Sequence, residues 1–141
     1  IQTLAALMVE TTQRHGEGSF IGHIGGDDFV VLTRPERAEA IGNEMLAAFE
    51  GCLGDFYDPE DRARGHVEVH NRRHVLERFP LMSLTIALVS TDQVPVSHLA
   101  QLTDIAKELK ARGKAMPGSV LVNERRSTAN SKSEPDQSAA A

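Results

Sequence analysis

The chain has 141 residues and a formal net charge of −5, and 40% of its residues are hydrophobic. This length fits one domain, and the acidic balance argues against a nucleic-acid backbone as the main partner, because such binding surfaces are usually basic. No apolar run approaches the roughly 20 residues that span a bilayer, and no signal-peptide pattern is present. The single cysteine, Cys52, excludes an internal disulfide and favours a reducing, cytoplasmic compartment.

The first third of the chain predicts a helix, a hairpin and a second helix. Apolar residues recur at helical spacing over residues 1–8 with no capping residue before them, so we expect a helix that is entered partway along. Residues 20–24 and 29–33 are typical of strands, and the four residues between them suit a hairpin loop. Residues 34–54 predict the second helix, with Pro35 in its first turn.

The middle of the chain predicts a loop followed by strands. Residues 55–65 are polar and rich in turn formers, which favours a loop or a distorted turn. Residues 66–70 alternate between polar and apolar side chains, as a strand does. The strongest strand signal runs from about 81 to 89, and Pro80 marks its start, where a missing N–H does least damage.

The last part of the chain predicts one long helix and one short strand. The helix covers residues 97–115 and the strand covers 120–122, whereas residues 127–141 contain almost no large apolar side chain and predict a disordered tail. The order of elements predicts an α+β domain over residues 1–126, with a central, mostly antiparallel sheet flanked by helices.

The sequence FIGHIGGDDFVVLT contains the residues best suited to chemistry. Gly25 and Gly26 have no Cβ, so the backbone N–H groups there can approach a phosphate closely. Asp27 and Asp28 place two hard oxygen ligands at the tip of a hairpin, as Mg²⁺ or Mn²⁺ requires. Taken alone, Gly-Gly-Asp-Asp is also ordinary turn composition, so a purely structural turn is the alternative.

The segment IGGDDFVVL resembles the signature hairpin of GGDEF domains, the diguanylate cyclases that condense two GTP molecules into cyclic di-GMP. Four flanking segments are similar to the family's helices and later strand: LAALMVETTQ, ERAEAIGNEMLAAFE, FPLMSLTIALVS and LTDIAKELKARGKAMPGS. The resemblance covers residues 1–126 and implies a GGDEF-type fold, related to the polymerase palm and the nucleotide cyclases and ferredoxin-like in topology. It also implies that this chain lacks the family's N-terminal strand and part of its first helix.

The resemblance assigns a role to each residue of the motif. Asp27 would bind the metal and help to activate the attacking 3′-hydroxyl, and Asp28 would support the metal where the family usually has Glu. Gly25 and Gly26 would lie against the triphosphate of GTP, and Lys110 or Lys114 would stand for the family's phosphate-contacting lysine. The cofactor implied is Mg²⁺ or Mn²⁺.

Several positions depart from the family pattern. Gly118-Ser119 stands where the family has Gly-Arg, and GEGS at residues 16–19 replaces the RxxD of the product-inhibition site. The family's first-strand aspartate and guanine-recognising residues would lie before Ile1. The resemblance therefore implies a bacterial signal-transduction domain that makes cyclic di-GMP in the intact protein, while this chain by itself is expected to be inactive. The alternative is a degenerate, non-catalytic GGDEF module that binds nucleotide or regulates through protein contacts.

The same resemblance bears on partners. Each domain of the family holds one GTP, so the reaction needs two domains face to face, and a homodimer is one expected partner. A sensor or receiver domain is expected upstream of this chain.

Histidines offer a second candidate site. His66, His70 and His74 recur every four residues, but HVEVHNRRH is typical of strand, turn and strand, so solvated hairpin residues are favoured over a zinc site. His23, next to the Gly-Gly-Asp-Asp turn, is interpreted as a packing or turn-supporting residue rather than a base.

Two further features are assigned structural roles. Cys52 lies at the C-terminal end of a predicted helix, which disfavours a thiolate, so a plain buried thiol is expected. Four arginines are interpreted as a solvated face, with an anion or partner-docking patch as the alternative. They are Arg62, Arg64, Arg72 and Arg73.

Overall fold

A computed structural model describes residues 1–92 and 96–124. The described helices are α1 (Gln2–Arg14), α2 (Pro35–Cys52), α3 (Pro59–Arg64) and α4 (Leu99–Lys114). The described strands are β1 (Phe20–Gly25), β2 (Asp28–Leu32), β3 (His66–His70), β4 (Leu76–Pro80), β5 (Thr85–Leu88) and β6 (Val120–Asn123). The predicted tail at 127–141 lies outside the described residues.

Helices α1 and α2 cover one face of the β1–β2 hairpin. Side chains alternate across a strand, so cross-strand neighbours such as Ile21 and Val31 point to the same side. That side packs on a helical core made of Met8, Ile41 and Met45, all nearly inaccessible to solvent. The amphipathic spacing of the two helices thereby fixes which face of the hairpin is buried.

Helix α4 is the crossover between the parallel strands β5 and β6, a pairing that a tight hairpin cannot make. Its buried residues Ile105 and Leu109 pack with Val122 of β6, and Leu109 is only 1% exposed. In β5, Ile86 faces the core of α1 and α2, whereas Ala87 faces α4. The β5–β6 pair therefore lies between two helical layers.

Strands β3 and β4 form a separate antiparallel ribbon that follows α3. Helix α3 begins with an Asp58 cap, whose side chain accepts a hydrogen bond of 2.8 Å from the N–H of Asp61. It ends at Gly65, which has a φ of +73° and so adopts the left-handed conformation that favours glycine. The loop predicted for residues 55–65 is thus wrong, because a cap, Pro59 at the first helical position and a terminal glycine define a short helix.

The strand predicted from about 81 to 89 is confirmed only in part. Pro80 ends β4, which pairs with β3, and the next strand begins only at Thr85. The predicted start at Pro80 is wrong, because this proline belongs to the preceding strand, which lies in a different sheet. Proline is tolerated at the end of β4 because each strand of a two-stranded ribbon has a free edge.

The α+β class is confirmed, with small sheets flanked by helices. Instead of one central sheet, the described residues form three two-stranded sheets, β1–β2, β3–β4 and β5–β6, and the third is parallel. Parallel pairing follows from the α4 crossover. None of the described helices combines the length and the apolar character needed to cross a membrane.

Candidate functional site

The Gly-Gly-Asp-Asp sequence forms a tighter turn than expected. Gly25 pairs with Asp28 across the hairpin, so only Gly26 and Asp27 are left as the central residues of the turn. Gly26 has a φ of +57°, and glycine at the first central position is typical of a type II′ hairpin turn. The pairing of β1 with β2 shifts in register between His23 and Gly25, and such an irregularity changes the direction of the end of β1. The four-residue loop of the prediction is therefore a two-residue turn.

The glycines leave open space around the turn. A Cβ built on Gly25 or on Gly26 would meet no heavy atom within 4 Å. Steric exclusion by the rest of the described chain therefore does not explain these glycines. The positive φ explains Gly26 as a turn residue, and the open surroundings leave the backbone accessible to a ligand.

His23, an exposed residue of β1, contacts both the turn and its neighbour on β2. Its ring stacks on Phe29 with the ring centroids 4.5 Å apart, and its Nε2 donates a 3.0 Å hydrogen bond to the carbonyl oxygen of Gly26. These contacts confirm the interpretation of His23 as a packing and turn-supporting residue.

Asp27 and Asp28 have different surroundings, although they are neighbours in sequence. The carboxylate of Asp27 is exposed and takes part in no hydrogen bond or ion pair with the described residues. The carboxylate of Asp28 accepts a hydrogen bond from the Nζ of Lys110 on α4 and forms an ion pair with it. One acid of the motif is thus free at the tip, and the other is neutralised within the chain.

The contact with Lys110 sets the electrostatics of Asp28. The hydrogen bond from Lys110, and then its charge, hold the pKa of the Asp28 carboxyl below its ordinary value, while burial acts in the opposite direction. Lys114 also lowers this pKa through its charge. The structure therefore brings Lys110 and Lys114, both predicted as ligand-binding residues, towards the hairpin, with Lys110 in direct contact.

The residue types at the turn fit a divalent cation only in part. Carboxylate oxygens are the ligands that Mg²⁺ prefers, and Mg²⁺ is commonly held by one or two carboxylates together with substrate phosphates. Residues 1–92 and 96–124 contain no group of three or more acidic, histidine or cysteine side chains that could hold a metal. At the turn, the carboxylates of Asp27 and Asp28 are the groups that could hold such a cation.

The Gly118-Ser119 pair has a structural role. Gly118 has a φ of +74°, and the hydroxyl of Ser119 accepts a 3.0 Å hydrogen bond from the N–H of Leu84. This contact ties the start of β6 to the start of β5. This pair, which the resemblance alone aligns with Gly-Arg, here forms a connection between strands.

The other candidates occupy separate parts of the molecule. His66 contacts Glu68 at 3.3 Å within the β3–β4 ribbon. Cys52 is half-buried, and its thiol donates to the carbonyl oxygen of Phe49 at 3.2 Å. The four arginines do not form one patch, because two lie on α3 and two lie in the turn between β3 and β4.

Sequence reasoning missed the pairing of Asp28 with Lys110. The two residues are 82 positions apart, and nothing in the local pattern of either one indicates the other. Searches of protein-family models, of curated proteins and of solved structures found no match to this chain.

Proposed function

We propose that this chain is a nucleotide-signalling domain of the diguanylate cyclase (GGDEF) type, and that the β1–β2 turn is its ligand site. One observation carries the proposal. The turn presents an unpaired Asp27 and two unobstructed glycines beside lysines of α4. These are the parts needed to bind a triphosphate with a divalent cation, and they lie within the segment whose order resembles that family.

Each residue would contribute one interaction with bound nucleotide. The backbone N–H groups of Gly25 and Gly26 would approach phosphate oxygens, and Lys110 and Lys114 would neutralise phosphate charge. Asp27, with Asp28, would hold Mg²⁺ or Mn²⁺ against the phosphates. The bound cation would supply charge stabilisation for attack on the α-phosphate of GTP.

A regulatory module without catalysis is the second candidate. The observation that favours it is the ion pair between Lys110 and Asp28, which neutralises one of the two acids of the motif. In such a module the turn would bind GTP or stay empty, and the output would be a protein contact. The absence of turnover in this chain alone is expected under both candidates.

The test is cation-dependent binding of a fluorescent GTP analogue to the full chain. We expect binding that needs Mn²⁺ or Mg²⁺ and that Asp27→Ala abolishes. Asp55→Ala, which removes an exposed acid outside the turn, is the matched control and should bind as the parent does. Binding that is unchanged in Asp27→Ala, or no binding at all, would contradict the proposed site.

A second measurement separates the two candidate functions. The full chain is incubated with GTP and Mn²⁺, and the products are examined for cyclic di-GMP. Binding without product fits both candidates for this chain, so product formation is the outcome that discriminates between them. Product that disappears in Asp27→Ala would support the cyclase directly.

A further inference from the structure

One face of the β3–β4 ribbon is apolar except for Glu77, whose carboxylate accepts a 2.8 Å hydrogen bond from the Nδ2 of Asn71. Directly paired residues of an antiparallel ribbon lie on the same face, and Val67 pairs with Phe79 while Val69 pairs with Glu77. Val75 continues this face next to the turn, where its carbonyl oxygen accepts a 3.0 Å hydrogen bond from the N–H of Asn71. We call the surface formed by Val67, Val69, Val75 and Phe79 the apolar ribbon face.

The opposite face of the ribbon carries the charged residues Glu68 and Arg78, beside Leu76, which is 44% exposed. Glu68 accepts a 2.9 Å hydrogen bond from the Nε of Arg78 and lies 3.3 Å from the Nε2 of His66. These contacts, with His66 first, hold the pKa of the Glu68 carboxyl below its ordinary value. The charged side chains Glu68 and Arg78 are paired with each other, whereas the apolar side chains of the first face are left exposed by the described residues.

The apolar ribbon face is open to solvent in the described part of the chain. Phe79 is 50% exposed, Val75 is 55% exposed and Val69 is 47% exposed. An isolated two-stranded ribbon is marginally stable in water, and a hydrophobic face of this kind is normally covered. A partner for this face would stabilise the ribbon as well as bind to it.

The charges at the two ends of the ribbon are of opposite sign. Residues 55–64, which we call the base, contain four acidic residues and two arginines. Residues 71–74, which we call the tip, contain Arg72 and Arg73 and no acidic residue. The ribbon is therefore negative at its base and positive at its tip.

We infer that the apolar ribbon face is the interface with a second copy of this chain. Two identical ribbons can pack face to face around a twofold axis with their strands running either in the same direction or in opposite directions. The first arrangement places the arginines of both tips together. The second places each tip beside the base of the other copy, so the charge pattern favours the antiparallel arrangement.

The interface should be weak and concentration-dependent. Five residues per strand give a ribbon of about 17 Å in length, at roughly 3.4 Å per residue. Such a face is smaller than the roughly 800 Å² per partner of a standard stable interface. The dimer is separate from the β1–β2 turn, so it does not depend on the proposed nucleotide binding.

Sedimentation velocity of the full chain over a range of concentrations tests this inference. The parent should associate to a dimer, and Phe79→Ser should weaken the dimer about tenfold or more, because an aromatic side chain in the centre of an interface is often a major contributor. Circular dichroism checks that the variant remains folded. A parent that stays monomeric, or a dimer unaffected by Phe79→Ser, would overturn the inference.

Charge reversal tests the orientation of the two copies. Arg72→Glu with Arg73→Glu makes the tip negative, and Asp55→Arg with Glu60→Arg makes the base positive. Each double variant alone should dimerise less than the parent, and an equimolar mixture should form a heterodimer, because every tip then meets a base of opposite sign.

The control for charge reversal at the tip makes a change in net charge of the same sign and size on another surface. Lys107→Glu with Arg112→Glu lies on exposed positions of α4 and should leave the dimer unchanged. A mixture that fails to form the heterodimer would exclude the antiparallel arrangement. A monomer in which residues 125–141 protect the apolar ribbon face from hydrogen exchange would also overturn the inference, since the occupant would then be the chain itself.

Discussion

Gly113 allows α4 to lie directly on the β5–β6 pair, and replacing it tests this close packing. Gly113 is buried within the helix. A Cβ added there would fall well inside van der Waals contact of the Cγ2 of Thr85, and would lie 3.1 Å from the Cγ2 of Val122. Both neighbours are β-branched residues on strands, so their side chains have few alternative rotamers. We expect Gly113→Ala to destabilise the protein.

The expected change in the free energy of unfolding combines two opposing effects. Overpacking of a filled core costs about 1–3 kcal/mol. Alanine in a helix interior is more favourable than glycine by up to about 1 kcal/mol. The net effect of Gly113→Ala is therefore a loss of up to about 2 kcal/mol, obtained by setting the second effect against the first.

Gly51 provides the matched control for this prediction. It lies in α2, and a Cβ there would meet no heavy atom within 4 Å. Gly51→Ala should therefore stabilise the protein by a few tenths of a kcal/mol, up to about 1 kcal/mol. Urea unfolding of both variants, followed by circular dichroism, compares the two substitutions directly.

The double variant Gly113→Ala with Thr85→Ser identifies the source of the loss. Thr85→Ser removes the methyl group that the new Cβ would meet, so it should recover part of the stability lost in Gly113→Ala, and the two changes should be non-additive. A Gly113→Ala protein as stable as Gly51→Ala would refute the close approach of α4 to β5.

Three further predictions concern single contacts. Lys110→Met should raise the pKa of the Asp28 carboxyl towards its ordinary value, which an NMR titration measures. In the parent, the stability supplied by the ion pair is fully present above the ordinary pKa of an aspartate and is lost as the pH falls through the lowered pKa of Asp28. Thr11→Val should raise the free energy of unfolding by about 1 kcal/mol, because the buried Thr11 hydroxyl has no hydrogen-bond partner among the described residues. Thr12→Val should lower the free energy of unfolding, because the Thr12 hydroxyl donates a 2.8 Å hydrogen bond to the carbonyl oxygen of Met8. Gly26→Ala should cost about 1 kcal/mol in urea unfolding because of its positive φ, and Gly26→Asn should cost less.

The sequence predicted those elements whose signals are local. Helix α2 follows from its apolar spacing and from Pro35, and the β1–β2 hairpin follows from two apolar runs around a glycine pair. Pro80, which ends β4, was mistaken for the start of the next strand, because proline is tolerated both at the first residue of a strand and in an edge strand. Pattern alone shows where a strand can form, but it does not show which strand will pair with it.

The site was predicted in the same uneven way. The exposure of Asp27 at a hairpin turn follows from local composition, whereas the neutralisation of Asp28 depends on where α4 lies on the sheet. That position results from the packing of Leu109 and Gly113 against the strands. Non-local packing of this kind leaves no mark in the sequence near Asp28.

Helix α4 therefore links the core to the electrostatics of the turn. Leu109 is fixed in the core, and the next residue, Lys110, is carried to the hairpin, where it neutralises Asp28. A divalent cation alone would meet one unpaired carboxylate, that of Asp27, and two nearby lysine charges that repel it. A cation already bound to a triphosphate carries net negative charge, which the same lysines attract. Under the proposed function, the charges at the turn would thus favour binding of the cation and the nucleotide together over binding of the cation by itself.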